Sequence, residues 1–367
     1  MSLYKFLRPL FFHMDPEWIH RTTISTVGIV GGISPIRALL RYLFSVDDPR
    51  LRVEVGSLKF KNPVGLAGGF DKNGVAIEGL STVGFGFLEV GSVSAYPSVG
   101  NTERPRLFRV IKDEAIVVFY GVPNEGSEVV ARRFESTKLP IPVGINLVET
   151  NYGEKPENAG EVMDELILAV RPFLGLVDYV TLNLNCPNTT SGQSPFDSPD
   201  NLRLLLSRFL QYESMPPTFL KVVPTTDPII IQETIEAMMP FPFVKGIIFG
   251  LPTGKPYKNL KTSDSILDRM PGTLCGKPTA EMINNAIKAW YPQLDHNRHI
   301  IVGTGGIFTA EDVYKKIRLG ATLVQLYTAL IYNGPGIVKN INQELCRLMD
   351  RDGIDQISEL VGLDNSP

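Results

Sequence analysis

The residues with the most chemistry in them sit at the ends of apolar runs. Tyr179-Val180-Thr181-Leu182 leads directly into Asn183-Leu184-Asn185-Cys186-Pro187-Asn188-Thr189-Thr190. Most free cysteines pack as small hydrophobes, but a thiol ringed by amides and hydroxyls on a loop leaving a buried strand is poor core material. Such a thiol, with an ordinary pKa of about 8.5, needs only modest tuning to take a proton from a bound substrate. Lys221 lies inside Thr218-Phe219-Leu220-Lys221-Val222-Val223-Pro224. An ammonium in a core strand needs a counter-group, because burying it unpaired is very costly. A bound anion or an electron-rich cofactor ring would serve; a surface-facing lysine on an irregular strand is the plain alternative.

Two glycine-rich turns add to the set. Gly303-Thr304-Gly305-Gly306 precedes Thr309-Ala310-Glu311-Asp312, which has the form of a capping box. Together with Tyr327-Thr328 at the end of a later run, its bare backbone amides would seat a phosphate. Ala67-Gly68-Gly69-Phe70-Asp71-Lys72-Asn73-Gly74 follows another run. There Lys72 is either functional or part of an ordinary Asp-Lys-Asn-Gly turn. Gly84-Phe85-Gly86-Phe87 lies among apolar residues without a helix start, so it is no dinucleotide fingerprint.

The elements that must position these residues are legible in the hydrophobic pattern. Val53-Glu54-Val55 and Leu58-Lys59-Phe60 flank Gly56-Ser57 as a hairpin. Eight apolar runs follow, at 63–67, 87–93, 142–147, 179–185, 218–224, 246–250, 299–304 and 323–327, mostly separated by helix-length stretches. This alternation predicts an α/β fold, a parallel (β/α)8 TIM barrel, with chemistry on the loops after the strands. A doubly wound sheet is the competing fold, and the eightfold count weighs against it. The stretch with Ile337, Ile341, Leu345 and Leu348 is predicted to be a structural amphipathic helix.

Residues 1–45 are predicted to form a small N-terminal helical module. Asp15-Pro16 and Ser34-Pro35 each supply an N-cap followed by proline. Leu3, Phe6, Leu7, Leu10 and Phe11 make one apolar face; Ile36, Leu39, Leu40, Leu43 and Phe44 make another. Either both pack on the main body, or the module lies on a bilayer with its basic residues near lipid head groups.

Composition narrows the function classes. The 367 residues are 43% hydrophobic, enough for a large core. A net charge of −3 without a Lys/Arg stripe gives no sign of a nucleic-acid partner, and none is expected. Cys186, Cys275 and Cys346 are odd in number and far apart, which argues for a reducing compartment. His13, His20, His296 and His299 lack metal-ligand spacing, so no metal is expected. No apolar stretch reaches the ~18 residues of a membrane span, and neither a secretion signal nor a transit peptide is evident.

Taken together, the chain resembles the dihydroorotate dehydrogenases. The resemblance is carried by residues 60–72, 84–93, 104–109, 183–189, 275–278, 303–307 and 323–328, in that order. The N-terminal stretch, with His20-Arg21 after Asp15-Pro16-Glu17, looks like the membrane-associated class that passes electrons to a quinone. The resemblance implies FMN-dependent oxidation of dihydroorotate in pyrimidine biosynthesis, a quinone acceptor and peripheral membrane association. Residues 1–45 would then be the membrane and quinone-access module, with Arg109 and Tyr327 near its inner end, and 46–367 the FMN-binding barrel.

By that resemblance Ala67, Gly68, Lys72, Ser92, Asn146, Asn183, Lys221, Gly276, Gly305, Gly306, Tyr327 and Thr328 match FMN contacts, the last four holding the phosphate. Cys186 matches the catalytic base and Lys221 the group beside the flavin's pyrimidine edge. Lys72, Asn183 and Asn188 match substrate contacts.

Some positions depart from the pattern. The quinone-linked class usually carries serine where this chain has Cys186. Two of the family's four substrate-bracketing asparagines are here Val118 and Leu251, and Glu149 stands where lysine is usual. Losing two amides from a polar substrate, at about 1–3 kcal/mol each, weakens its binding unless other donors compensate. Two alternatives therefore stand beside the main reading: a flavin oxidoreductase for a less polar ring, and a non-catalytic flavin-binding protein.

Overall fold

The computed structural model describes residues 3–137, 140–153, 158–186, 194–252 and 254–365. Three helices come first: α1 (Leu3–His13), α2 (Pro16–Gly31) and α3 (Ser34–Phe44). Asp15 caps α2, its carboxylate accepting from the Trp18 N–H at 2.7 Å, with Pro16 at the first helical position. Ser34 does not play the same part. It is the first residue of α3, whose N-cap is Ile33, without a side-chain cap bond. The Ser-Pro pair therefore lies one residue further into the helix than its pattern predicts.

The hairpin follows as β1 (Val53–Val55) and β2 (Leu58–Phe60), with Val53 opposite Phe60. The eight expected core strands are all present. They are β3 (Val64–Leu66), β4 (Phe87–Val93), β7 (Val143–Leu147), β8 (Tyr179–Asn183), β9 (Thr218–Val222), β10 (Val244–Phe249), β12 (Ile300–Thr304) and β13 (Ala321–Leu326). They close a parallel barrel, with β13 paired back onto β3. Strands in such a barrel are covered on both faces and so read as unbroken apolar runs. All five residues of β7 and of β8 are buried.

A three-stranded antiparallel sheet was not anticipated. It joins β5 (Leu107–Val110), β6 (Ala115–Val118) and β11 (Thr273–Gly276), in the order β11-β6-β5. Cys275 pairs with Ile116 across a large sequence separation. A local pattern carries no record of such a partner.

The N-terminal end of the barrel is plugged by rings. Phe87, Tyr179 and Phe219 stand near the starts of β4, β8 and β9, with Phe87–Tyr179 centroids 6.3 Å apart and Tyr179–Phe219 5.5 Å, edge to face. Glycine makes room for them: a Cβ on Gly144 would lie 2.1 Å from the Tyr179 ring. With bulk confined to this end, the C-terminal mouth stays open for polar groups.

The N-terminal helices dock at that mouth. Helix α2 crosses the short helix α4 (Ile77–Leu80) at Gly31 and Gly79, where a Cβ on Gly31 would lie 2.5 Å from the Gly79 nitrogen. Of the two predicted faces, Phe44 packs against the barrel core, whereas Phe6, Leu10, Leu39 and Leu43 are exposed; Phe12, Ile24 and Val27, outside those faces, pack against the core as well.

Removing the plug ring in Phe219→Ala is expected to cost about 3–5 kcal/mol. The check is a lower denaturant midpoint at unchanged slope. A loss under about 1 kcal/mol would contradict the plug.

Candidate functional site

An open cavity lies at the C-terminal mouth of the barrel, under the β5-β6-β11 sheet. Each strand end delivers its residues to the wall. The loop after β3 supplies Ala67, Gly68 and Lys72, and β4 supplies Ser92. Strand β8 supplies Asn183 and, just beyond it, Cys186; β9 supplies Lys221. Gly276 comes from β11, Gly305 and Gly306 follow β12, and Tyr327 and Thr328 follow β13. One expected residue is not on this wall, and another falls outside the described residues. Asn146 is fully buried behind it, its oxygen accepting from Ser92 Oγ at 2.5 Å and its nitrogen donating to Glu89 at 2.7 Å. It acts on the cavity through Ser92. Asn188 lies outside the described residues.

The glycine turn is built for bare backbone. Gly305 and Gly306 both have φ near +70°, and a Cβ on Gly306 would lie 2.4 Å from the Ala280 Cα. The expected capping box behind it is present: Thr309 Oγ1 accepts from the Asp312 N–H, and Asp312 accepts from the Thr309 N–H.

Lys72 is aimed by its own loop. The buried Asp71 carboxylate accepts from the N–H groups of Asn73, Val75 and Ala76, the last at 2.7 Å. Lys72 Nζ then sits 4.1 Å above the Tyr120 ring. Burial pushes Lys72 down to about 8, against the opposing pull of Asp71 and Glu17.

Lys221 faces a carboxylate that sequence reading passed over. Glu89, in the middle of β4 and only 1% exposed, lies 4.0 Å from Lys221 Nζ. The argument that picked out a lysine in a core strand applies equally to this glutamate. Gln325 and Tyr120 were likewise not singled out, and both line the cavity.

Two thiols line the cavity, Cys186 and Cys275. Burial pushes Cys275 up to about 12, and Thr328 Oγ1 points toward its sulfur at 3.9 Å. At neutral pH Cys275 stays a thiol, which leaves Cys186 as the candidate base.

The N-terminal helices form part of this environment. Glu17 of α2 is buried against Arg106 and 2.7 Å from Arg104. Burial alone would raise its pKa, but hydrogen bonds and charge from the two arginines outweigh that and lower it. Arg106 also lies 5.4 Å from the Tyr120 ring, which Lys72 approaches as well. His20 stands edge-on to Phe70 at 5.1 Å, and Phe70 edge-on to Tyr327 at 5.2 Å. Arg109 donates to the carbonyls of Phe12 and Met14 at the end of α1. A line of rings thus joins helix α2 to the cavity wall.

Among the described residues, three buried polar atoms on the wall lack a protein partner: Asn183 Oδ1, Gln325 Oε1 and the Tyr120 hydroxyl. Buried groups of this kind are normally satisfied. An aromatic ring with imide edges, carrying a phosphate for the glycine turn, fits this set, and a flavin has both.

Fold and cavity together define a (β/α)8 enzyme with its site on the strand ends. The family model described as "Dihydroorotate dehydrogenase" matches residues 50–349. A Halobacterium salinarum protein named "Dihydroorotate dehydrogenase (quinone)" is 35% identical over 363 residues, covering 99% of this chain and 100% of that one. A Roseiflexus protein of the same name is 34% identical over 370 residues, covering 99% and 98%. Among solved structures, the DHODH of Eimeria tenella in complex with ferulenol superposes with a TM-score of 0.81 at 27% identity, covering 96% of both chains. The chain belongs to the dihydroorotate dehydrogenase family.

The docking of α2 sets a pH dependence. Desolvation, with the Lys72 charge, pushes His20 down to about 3, whereas an unfolded histidine titrates near 6.5. Between these values the unfolded chain binds more protons, so stability rises with pH in this window and falls as pH drops from 6.5 toward 3. Amides of residues 16–31 are expected to lose exchange protection at pH 5 relative to pH 7, more than those of β7 and β8. His20→Gln should reduce that difference, and equal loss in both regions would contradict the assignment.

Proposed function

We propose that the protein oxidises dihydroorotate to orotate, a step of pyrimidine biosynthesis, with FMN as its flavin and a quinone as electron acceptor. In this reading residues 1–45 are the module that meets the membrane and admits the quinone, and residues 46–367 hold the FMN. One observation carries the proposal: a single cavity gathers Lys221, Cys186, Lys72 and the Gly305-Gly306 turn. Its wall continues through Tyr327 and Phe70 to His20 of α2.

FMN, when bound, supplies the hydride acceptor and passes the electrons on. The residues do the rest. Cys186, as thiolate, takes the proton from C5 of dihydroorotate while hydride leaves C6, and the new ring double bond forms between those carbons. Lys221 places fixed positive charge where negative charge grows on the cofactor, a site already arranged before reaction. Lys72 faces the substrate carboxylate. Asn183, shared between the flavin and the substrate, and Asn188 are assigned the task of orienting the substrate ring. Ala67, Gly68, Ser92 and Gly276 line the flavin, with Asn146 acting through Ser92, and Gly305, Gly306, Tyr327 and Thr328 take its phosphate.

Peripheral membrane association is supported by the outward residues of the module. Phe6, Leu10, Trp18, Ile29, Leu39 and Tyr42 are exposed, and Arg21 and Arg41 are exposed among them. Among the described residues no single helix is long and apolar enough to cross a membrane; α2 and α3 together meet the criterion but are bent by 111°.

A second reading rests on Val118, Val122 and Leu251, which line the same cavity. They favour a less polar ring than dihydroorotate, and tight binding of orotate decides against it.

Cys186→Ala is expected to lower kcat with dihydroorotate and a quinone analogue by about 10²–10⁴-fold, with flavin content unchanged. Unchanged turnover would overturn the assignment of the base. Lys72 loses its charge as pH passes about 8, so kcat/KM for dihydroorotate should fall above that value. That alkaline limb should vanish in Lys72→Met; its survival there would place it on another group.

A further inference from the structure

Glu89 is an acceptor without a donor of its own, and it fixes the polarity of everything around it. Its Oε1 accepts from Asn146 Nδ2 at 2.7 Å, and its Oε2 from Thr181 Oγ1 at 3.0 Å and Gln325 Nε2 at 2.9 Å. Lys221 Nζ stands 4.0 Å from Oε1. These four groups come from β7, β8, β13 and β9. An ionised carboxylate can only accept, so each neighbour must turn a donor toward it.

The consequence reaches the cavity wall. An amide that turns its nitrogen inward turns its oxygen outward. Asn146 Oδ1 then receives the Ser92 hydroxyl at 2.5 Å, and Ser92 Oγ receives Asn183 Nδ2 at 3.2 Å. At the end of this chain Asn183 Oδ1 is left buried and without a partner among the described residues, and Gln325 Oε1 is left so directly. The wall therefore presents two carbonyl oxygens beside one ammonium, the complement of a ring edge that alternates N–H and C=O. The charge itself is close: a Cβ on Gly68, a residue of the wall, would lie 2.6 Å from Glu89 Oε1.

We propose that Glu89 is a positioning residue of the flavin pocket: its buried negative charge orients the Asn183 and Gln325 acceptors, offsets Lys221, and so sets how strongly the pocket prefers reduced over oxidised flavin. This rests on the flavin reading above. The sign follows from electrostatics. Reduction adds negative charge to the ring, and a nearby carboxylate opposes it.

Flavin-loaded protein tests the role through the midpoint potential, measured spectrophotometrically against reference dyes, and through the affinity for oxidised FMN. Glu89→Gln is expected to raise the preference for reduced over oxidised flavin about tenfold, which is about 30 mV for a two-electron couple. Returning the charge to the same hydrogen-bonded pair in Glu89→Gln/Gln325→Glu should bring the potential back toward wild type. A Glu89→Gln protein that binds flavin at the wild-type potential overturns the proposal, as does a raised potential that the swap leaves in place. Should Glu89→Gln fail to hold flavin, the near-isosteric Thr181→Val takes one donor from the carboxylate and is expected to lower the potential; no shift there overturns the proposal. Wild-type protein that never binds FMN contradicts the flavin reading itself, a different outcome from flavin bound with an insensitive potential.

Discussion

A charged lysine on a barrel strand is the constraint from which the rest of the site follows. Burying an ammonium beside apolar neighbours costs several kcal/mol unless geometry and further hydrogen bonds offset the loss of water. Here the opposing charge is Glu89, whose remaining lone pairs are filled by Asn146, Thr181 and Gln325. The arrangement holds only because the barrel closes: partners on β4, β7, β8, β9 and β13 meet at one point. The Phe87–Tyr179–Phe219 plug fills the opposite end. One end of the barrel supplies packing, and the other carries an electrostatic pattern that packing keeps rigid.

A second interaction couples the site to the N-terminal helices. Glu17 reaches from α2 to Arg104 and Arg106, and Arg106 and Lys72 share the Tyr120 ring. The helix that would face a membrane is thus linked through one buried ion pair and one aromatic ring to the lysine assigned to the substrate carboxylate. On the other side His20, Phe70 and Tyr327 form a continuous run of rings. Both connections depend on α2 lying close, which Gly31 and Gly79 allow.

How much of this was legible varies by element for physical reasons. The eight barrel strands announce themselves because parallel strands covered on both faces become uninterrupted apolar runs. The hairpin at 53–60, the Asp15 cap, the Thr309 capping box and the amphipathic helix at Ile337–Asp352 were equally local, and each formed. The mouth sheet was not legible, since the partner of Ala115–Val118 is Thr273–Gly276 and no short-range signal joins them. Of the site, Cys186 and Lys221 stood out as polar groups in apolar surroundings. Glu89, inside the family-like segment 84–93, has the same signature. Asn146 was named for a contact that its burial routes through Ser92. Resemblance transfers a residue's identity readily; the layer it occupies emerges only once the strands are assembled.

The account stands or falls on whether this cavity lets dihydroorotate deliver hydride to a bound flavin. Anaerobic mixing of FMN-loaded protein with saturating dihydroorotate measures that directly. The account predicts loss of the flavin's visible absorbance, followed by its return when a quinone analogue is added. Flavin that stays oxidised in the presence of dihydroorotate, while a less polar ring bleaches it, would contradict the assignment of the substrate; flavin that no such ring reduces would contradict the assignment of the reaction.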